Sequence, residues 1–282
     1  MNILYCGDAN IADGVVISAL SLSKHSEEPL SIYILTAKIE NCERPCEALP
    51  QSFCSFLSHE MKKRNKNNTV TLVDISDMLS ECMPAANIKT RFTPCCMLRL
   101  FADKVECIPD RILYLDNDVV CKDEFSRLYY TDFEMYDFCG VLDYYGSWLF
   151  YNGHTKRNYI NSGVLLLNMK RIRENGLFEK CRERCRSKKM FMPDQSALNK
   201  LSDSKMICEG KYNEQRKDRE DTVFRHFTTS FRFFPYFRKI SVKPWNVEGM
   251  HKVLRLYEYD PLLSEYNRLR ENSNSFCKEI IQ

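Results

Sequence analysis

Apolar residues in this chain fall into short runs that alternate with stretches of helical spacing. The runs that have the length of a β-strand are Ile3 to Cys6, Leu30 to Leu35, Val70 to Ile75, Arg111 to Leu115, Phe138 to Leu142 and Gly163 to Leu167. Helices are predicted at Val15 to Leu22, Ser52 to Arg64, Thr93 to Val105 and Met169 to Lys188, and another opens at Pro193. Strands that alternate with helices predict a parallel sheet covered by helices.

The length and charge of the chain limit its domain organisation and its classes of partner. A chain of 282 residues suits one large α/β domain, or a core domain with a small appendage. Its 41 basic and 38 acidic residues give a net charge of +3, which is too balanced to indicate a nucleic-acid-binding surface. The charged segment from Lys211 to Asp221 predicts an exposed loop.

The cysteines and the first residues indicate a cytoplasmic protein. The 14 cysteines are scattered, and a chain of this size does not need disulfides to fold, so reduced thiols are expected. Cys181 and Cys185 are expected to be ordinary helix residues, because no histidine follows nearby to complete a metal site. The residues after Met1 include neither a basic region nor a long apolar stretch, so no signal peptide or membrane span is predicted there.

Polar clusters follow three of the predicted strands, at Gly7 to Asn10, at Asp116 to Asp118 and at Asp143. Ligands bind at the carboxyl ends of strands in open α/β sheets, so these clusters should line one acidic cleft. Asp116 and Asp118 can both reach one divalent cation if the chain turns there, and their oxygen atoms suit Mg²⁺ or Mn²⁺. An isolated Asp-x-Asp triplet can also be a solvated turn without a ligand. The buried strand that precedes Asp116 favours a metal site instead, because it places two charges at the edge of the sheet.

The segment Ile112-Leu113-Tyr114-Leu115-Asp116-Asn117-Asp118-Val119-Val120 resembles the metal-binding signature of the retaining glycosyltransferases of family 8. The resemblance extends from the first strand to Trp245. It implies a GT-A type fold, a Rossmann-like α/β domain with a mixed, mainly parallel sheet flanked by helices over residues 1–250, and a helical C-terminal extension over residues 251–282. The implied activity transfers a hexose, glucose or galactose, from a UDP-sugar to a hydroxyl of a saccharide or glycolipid, with Mn²⁺ or Mg²⁺ as cofactor.

The same resemblance implies roles for individual residues. The implied metal ligands are Asp116, Asp118 and His226. The implied catalytic residues are Asp194 and Gln195, which open a helix beside the anomeric carbon of the donor. Contacts with the donor are implied for Asp8, Asn10, Arg99, Asn117, Asp143, Asn161 and Lys243. Structural alternatives exist for several of them: Asp194 also suits the first turn of a helix, and Arg99 also suits the surface of one.

Two features depart from the family pattern. Ile11 stands where the family usually has an aromatic residue that stacks on the uracil base. The gap between His226 and Lys243 is longer than in short family members, and the aromatic and basic insert from Phe231 to Lys239 fills it. The insert is expected to be a packed lid over the donor or acceptor. Its alternative is a surface patch that meets a membrane or a glycolipid, which would make the protein peripheral to the inner face of the membrane.

Two other classes of function are open on the sequence alone. A haloacid-dehalogenase-like phosphatase also has an apolar strand followed by Asp-x-Asp, but that motif normally opens its catalytic domain, whereas here several strands precede it. A non-catalytic protein that binds nucleotide sugars would keep the fold without turnover. The presence of all the motif residues favours an enzyme, and nothing in the sequence indicates its oligomeric state.

Overall fold

A mixed sheet lies at the centre of the computed structural model, which describes residues 1–40, 45–88, 94–146, 158–232, 236 and 238–272. Its strands in that part of the chain are β1 (Asn2–Cys6), β2 (Ser31–Thr36), β3 (Thr69–Asp74), β4 (Arg111–Leu115), β6 (Phe138–Leu142), β7 (Ile160–Asn168) and β8 (Lys205–Ile207). They are ordered β3-β2-β1-β4-β7-β6-β8. All pairs are parallel except β4 with β7 and β6 with β7. The predicted GT-A type sheet, mixed and mainly parallel, is therefore confirmed.

Two smaller sheets contain the other strands of the described residues. β5 (Val119–Cys121) pairs antiparallel with β9 (Phe224–His226), and β10 (Ser230–Arg232) pairs antiparallel with β11 (Arg238–Ile240). The α-helices are α1 (Ala12–Lys24), α2 (Gln51–Arg64), α3 (Ser76–Glu81), α4 (Ser126–Tyr129), α5 (Met169–Asn175), α6 (Leu177–Ser187), α7 (Pro193–Leu201), α8 (Val247–Gly249) and α9 (Asp260–Asn272).

Helices cover both faces of the central sheet, and each face has its own apolar core. In β4 the side chains alternate between them: Leu113 and Leu115 belong to the core under α1 and α2, whereas Ile112 and Tyr114 belong to the opposite core. Because both faces are buried, the strand reads as a continuous apolar run that ends where Asp116 leaves the sheet.

Two predicted helices differ in detail from the structure. The single helix predicted over Met169 to Lys188 is divided into α5 and α6, because Gly176 adopts φ +65° and ends α5 with a left-handed residue. The helix predicted over Thr93 to Val105 is present as a 3-10 helix at Pro94–Lys104, and Thr93 lies outside the described residues. Most of its residues are buried, including Met97, Leu98, Leu100 and Phe101, so the apolar pattern does not distinguish a 3-10 helix from an α-helix.

The loop predicted over Lys211 to Asp221 is exposed only in part. A 3-10 helix spans Gly210–Asn213, and Asn213 and Gln215 are both buried. Their amide groups are hydrogen-bonded inside the protein, which removes the cost of burying them. The prediction of a fully exposed loop was wrong because polar composition does not distinguish amides that face solvent from amides that are hydrogen-bonded inside the protein.

The described part of the C-terminal extension packs on the main domain. Leu262, Leu263 and Tyr266 of α9 lie in the same apolar core as α1. No helix of the described residues has the length and apolar character that crossing a bilayer requires. The sulfur atoms of Cys139 and Cys208 are bonded in a disulfide, so the expectation of reduced thiols throughout is wrong for this pair. Cys181 and Cys185 are buried residues of α6, as expected.

Candidate active site

Three side chains with metal-binding atoms meet at the carboxyl end of β4. Asp116 directly follows this strand, Asp118 lies two positions further on, and His226 ends β9. One ligand atom from each lies within 4.8 Å of the others. His226 Nε2 is 3.2 Å from Asp118 Oδ1 and 3.6 Å from Asp116 Oδ2. Two carboxylates and one imidazole are a donor set that suits Mn²⁺ and is compatible with Mg²⁺, so these residues fit the predicted cation.

A turn and a close backbone approach bring this donor set together. The Val119 amide donates to the Asp116 carbonyl at 3.1 Å, and Val119 then pairs with His226 across β5 and β9. Gly163 of β7 lies against the same group. A β-carbon at Gly163 would lie 2.2 Å from His226 Cε1 and 2.9 Å from Asp116 Oδ2. Glycine is thus the residue that leaves room here.

Asp118 and Lys243 form an ion pair at the edge of this group. The Lys243 ammonium also donates to the Phe227 carbonyl at 3.0 Å. Burial alone would raise the pKa of Asp118, but the charges of Lys243 and His226 and their hydrogen bonds outweigh burial and hold the pKa below its ordinary value. The carboxyl group is therefore ionised at neutral pH, the form that can bind a cation.

Arg99 joins the aspartates after β4 to the start of α7. Its Nη2 donates to Asp116 Oδ1 at 3.0 Å, and its Nε lies 3.2 Å from Asp194 Oδ2. The side chain is buried and also donates to the Ser162 carbonyl. Burial alone would lower the pKa of Arg99, but Tyr114, Asp116 and Asp194 together hold it above its ordinary value. The described contacts of Arg99 are with protein groups, so its direct contact with a donor stays a prediction.

Asp194 lies in an environment that opposes its charge. The carboxyl is buried in the first turn of α7. Burial raises the pKa of Asp194 above its ordinary value, although the charge of Arg99 opposes that rise. A buried carboxyl that has one cationic partner and a raised pKa is typical of functional sites.

A chain of hydrogen bonds links Gln195 of α7 to the ends of β6 and β7. Gln195 Nε2 donates to Asp143 Oδ2 at 3.1 Å, while its Oε1 accepts the Ser162 amide at 2.9 Å. Asn161 Nδ2 donates to the same oxygen of Asp143 at 2.8 Å. Asn161 Oδ1 accepts the Gly163 amide at 2.9 Å. Both ends of the Gln195 amide are held, so its orientation is fixed before any ligand arrives.

Asn213 continues this chain to the histidine, and the sequence interpretation missed it. Its Nδ2 donates to Asn161 Oδ1 at 2.9 Å, and its Oδ1 lies 3.1 Å from His226 Nδ1. Asn213 is 1% exposed. It occurs in the segment that was predicted as an exposed loop, and no local pattern marks it, because its partners come from β7 and β9.

The loop after β1 is built around Asp8. Asp8 Oδ1 accepts the Asn10 amide at 3.1 Å and Oδ2 accepts Asn10 Nδ2 at 3.2 Å, so the two residues fix each other. Asn117 lies against α1, since a β-carbon at Gly14 would lie 2.3 Å from the Asn117 carbonyl oxygen. Ile11 packs on the main core. The predicted roles of Asp8, Asn10 and Asn117 in donor binding stay predictions.

Four of the nine residues of the aromatic insert lie outside the described residues. Its two ends form the β10–β11 pair, while Phe233, Phe234, Pro235 and Phe237 are not described. Tyr236 is 71% exposed. The choice between a packed lid and a membrane-facing patch therefore stays open.

The comparison with protein families gives a match over most of the chain. The model of the family described as "Glycosyl transferase family 8" matches residues 2–248. This match excludes the haloacid-dehalogenase-like alternative. It also spans every residue for which a role in the site was predicted.

Individual relatives and solved structures agree with the family match. Lipopolysaccharide 1,2-glucosyltransferase of Escherichia coli (strain K12) is 24% identical over 299 residues, covering 100% of this chain and 82% of that protein. Glycosyltransferase GlyF of Streptococcus pneumoniae serotype 4 is 30% identical over 155 residues, covering 52% of this chain and 35% of that protein. The structure of galactosyltransferase LgtC in complex with donor and acceptor sugar analogs has a TM-score of 0.67 at 16% identity, covering 95% of this chain and 96% of that one. This last likeness shows the fold alone.

Proposed function

This chain belongs to glycosyl transferase family 8, and from that premise we propose that it moves glucose or galactose from a UDP-sugar to a hydroxyl of a saccharide or glycolipid with the help of a divalent cation. The family match and the similarity to a glucosyltransferase support a retaining hexosyltransferase. The donor, the cation and the acceptor are the parts that are proposed.

One observation carries the proposal. The candidate metal ligands Asp116, Asp118 and His226 lie within 4.8 Å of one another, and buried hydrogen bonds connect this group to Gln195 through Asn213, Asn161 and Asp143. A structural network would need neither a converging set of charged ligands nor a glycine that keeps space beside them.

The diphosphate part of the donor needs positive charge when the sugar leaves. Asp116, Asp118 and His226 would hold Mn²⁺ or Mg²⁺, which stabilises the negative charge that develops on the leaving diphosphate. Lys243 is paired with Asp118, so its ammonium lies beside the proposed ligands and adds a second positive charge. Arg99 keeps Asp116 and Asp194 in a fixed relation to each other.

The sugar becomes positively charged as its bond to the diphosphate breaks. We assign Asp194 and Gln195, which open α7, to positions beside the anomeric carbon, where they would position the sugar and shield its developing charge. Asp143 and Asn161 would contact the sugar hydroxyls, and Asp8, Asn10 and Asn117 the nucleoside and ribose. The acceptor oxygen attacks the anomeric carbon from the same face that the diphosphate leaves, and this retains the configuration. The proton of the acceptor hydroxyl passes to the departing phosphate oxygen.

The proposal also covers the acceptor and the compartment. The name of the Escherichia coli relative, a lipopolysaccharide glucosyltransferase, supports a saccharide acceptor on a lipid carrier. Ten of the twelve described cysteines carry free thiols, and only Cys139 and Cys208 are bonded to each other; this predominance of free thiols supports the reducing cytoplasm as the compartment. Peripheral binding to the inner face of a membrane would then bring the enzyme to such an acceptor.

The first experiment measures donor binding. Thermal shifts with UDP, UDP-glucose, UDP-galactose and GDP-mannose are recorded with and without Mn²⁺. A UDP-sugar should stabilise the protein only when Mn²⁺ is present, and Asp116→Asn and Asp118→Asn should each abolish that shift. Asp110→Asn is the matched control, since Asp110 is an exposed carboxylate away from β4's carboxyl end. Stabilisation of the two site variants equal to that of the parent protein would overturn the proposal.

Turnover separates an enzyme from a binding protein. Incubation with UDP-glucose or UDP-galactose and Mn²⁺ should release UDP slowly by hydrolysis even without an acceptor, and both aspartate variants should lose this activity. Tight UDP binding with no release of sugar, across a broad panel of saccharide acceptors, would instead support a non-catalytic nucleotide-sugar binding protein.

A further inference from the structure

A second group of metal-binding side chains lies in the described part of the chain, and it shares no residue with the first. The thiol cluster consists of Asp8, Cys46 and Cys95. The two sulfur atoms are 3.2 Å apart. One carboxylate oxygen of Asp8 and the two sulfurs all lie within 4.8 Å of one another, and all three residues are buried.

Three separate segments bring the thiol cluster together. Asp8 follows β1, Cys95 lies in the 3-10 helix Pro94–Lys104, and Cys46 forms a backbone bridge with Ile39 in the segment after β2. The Ala9 amide donates to the Glu47 carbonyl at 2.7 Å, which ties the Asp8 loop to the segment of Cys46. The positions of the donors are therefore fixed by the backbone and not by flexible side chains alone.

We propose that the thiol cluster binds a thiophilic divalent cation of the Zn²⁺ class, with Cys46 and Cys95 as thiolate ligands and Asp8 as the third ligand. Two sulfurs and one oxygen select Zn²⁺ over Mg²⁺ and Mn²⁺, which prefer oxygen ligands. Two sulfurs on a tetrahedral Zn²⁺ are roughly 3.8 Å apart, given a Zn–S bond of about 2.3 Å. The sulfurs need to separate only slightly from 3.2 Å to reach that spacing.

Asp8 keeps the capacity to bind a cation in addition to its contacts within the loop after β1. Asp8 accepts two hydrogen bonds from Asn10, one at each oxygen. Each carboxylate oxygen keeps a second lone pair for a cation.

The cation site adjoins the proposed donor site through Asp8. A cation bound here takes the carboxylate that the proposed function assigns to the nucleoside, so the two ligands should oppose each other. This consequence rests on the proposed function, whereas cation binding itself does not.

The test uses Cd²⁺, which replaces Zn²⁺ at thiolate sites and gives a sulfur-to-metal charge-transfer band in the ultraviolet. The whole protein is titrated with Cd²⁺ in the presence of a phosphine reductant. The parent protein should bind one equivalent of Cd²⁺ tightly and give a charge-transfer band with the intensity of two Cd–S bonds. The double variant Cys46→Ser with Cys95→Ser should lose this band. Asp8→Asn, which keeps both thiols, should weaken the affinity without reducing the intensity at saturation.

Two double variants control for the other cysteine pairs. Cys181→Ser with Cys185→Ser, and Cys139→Ser with Cys208→Ser, should both keep the tight band. Asp116→Asn should also keep it, so that failure of the proposed function and failure of this inference give different results. A parent protein without the band, or a band that survives loss of Cys46 and Cys95, would overturn the inference and leave a pair of buried thiols that hydrogen-bond in the core.

Discussion

Asn213 Oδ1 lies 3.1 Å from Nδ1 of His226, and the surrounding hydrogen bonds assign the direction of this contact. Asp143 is a carboxylate and can only accept, so Asn161 presents its Nδ2 to Asp143 and its Oδ1 to Asn213. Asn213 must then donate through Nδ2 and turn its oxygen toward His226. The hydrogen of a neutral His226 ring therefore lies on Nδ1, which leaves the lone pair of Nε2 facing Asp116 and Asp118.

This relationship predicts that Asn213 controls the affinity for the cation. Asn213→Ala removes the acceptor that orients His226, and loss of such a partner typically lowers metal affinity by about 10- to 100-fold. Mn²⁺ binding measured by calorimetry should show that loss. Asn87→Ala is the matched control, because Asn87 is also fully buried and donates to the Cys185 and Lys188 carbonyls instead. It should destabilise the fold without changing Mn²⁺ affinity. Equal affinities of Asn213→Ala and the parent protein would contradict the assigned role.

Gly163 gives an independent test of the same site. Gly163→Ala would place a β-carbon 2.2 Å from His226 Cε1 and 2.9 Å from Asp116 Oδ2, so one of the two must move. Mn²⁺ affinity and the metal-dependent stabilisation by a UDP-sugar should both be lost.

Gly176→Ala separates that effect from a general loss of stability. A β-carbon there has space, with its nearest atom at 3.8 Å, but φ is +65°. The left-handed backbone should cost about 1 kcal/mol of folding free energy. This variant should therefore melt at a lower temperature and bind Mn²⁺ with unchanged affinity. A Gly163→Ala protein that binds Mn²⁺ normally would show that these residues are not the cation site.

The sheet and the position of the aspartates were predictable because their signals are local. Six of the seven strands of the central sheet lie at predicted apolar runs, whereas the short strand β8 was not predicted. The run Ile112 to Leu115 ends at Asp116, where the structure also ends β4. These elements are fixed by neighbours in the chain, so a single sequence carries their pattern.

The residues that were missed depend on contacts between distant segments. Asn213 is meaningful only beside Asn161 and His226, which lie on different strands. The break between α5 and α6 required the conformation of one residue, Gly176, which a helical apolar pattern does not report. The nearness of Cys46 to Cys95 likewise follows from the fold, since α2, β3, α3 and the 3-10 helix Ala85–Asn87 lie between them in the chain.

The C-terminal helix provides a pH test of how the chain is held together. Glu265 of α9 forms ion pairs with Lys24 of α1, at 2.8 Å, and with Arg64 of α2. Partial burial alone would raise the pKa of Glu265, but the hydrogen bond from Lys24 and the charge of Arg64 lower it below 4.5. A carboxyl whose pKa is lower in the folded state stabilises the fold above its unfolded pKa, and this stability is lost as the pH falls through the folded pKa.

Glu265→Gln should therefore destabilise the protein at pH 7 by roughly 0.5 kcal/mol. The difference from the parent protein should shrink as the pH falls below 4.5, the ordinary value for this carboxyl. Urea unfolding at a series of pH values measures this difference in the free energy of unfolding. Glu220→Gln, at an exposed position, should show no such trend. A difference that is constant with pH would mean that the loss comes from packing and not from the ion pairs.

Arg99 offers the sharpest separation of a catalytic effect from a structural one. Arg99→Lys keeps a positive charge, but one ammonium cannot reproduce the fork that reaches both Asp116 and Asp194. Because the two carboxylates then lose their fixed relation, kcat for UDP-sugar hydrolysis should fall by at least about 10-fold, the usual order for a misplaced catalytic group. Arg182→Lys is the control, since Arg182 is similarly buried and pairs with Asp103 away from the site. Both variants should melt at lower temperatures, and only Arg99→Lys should lose kcat. An equal fall in kcat in both variants would show that Arg99 acts through stability alone.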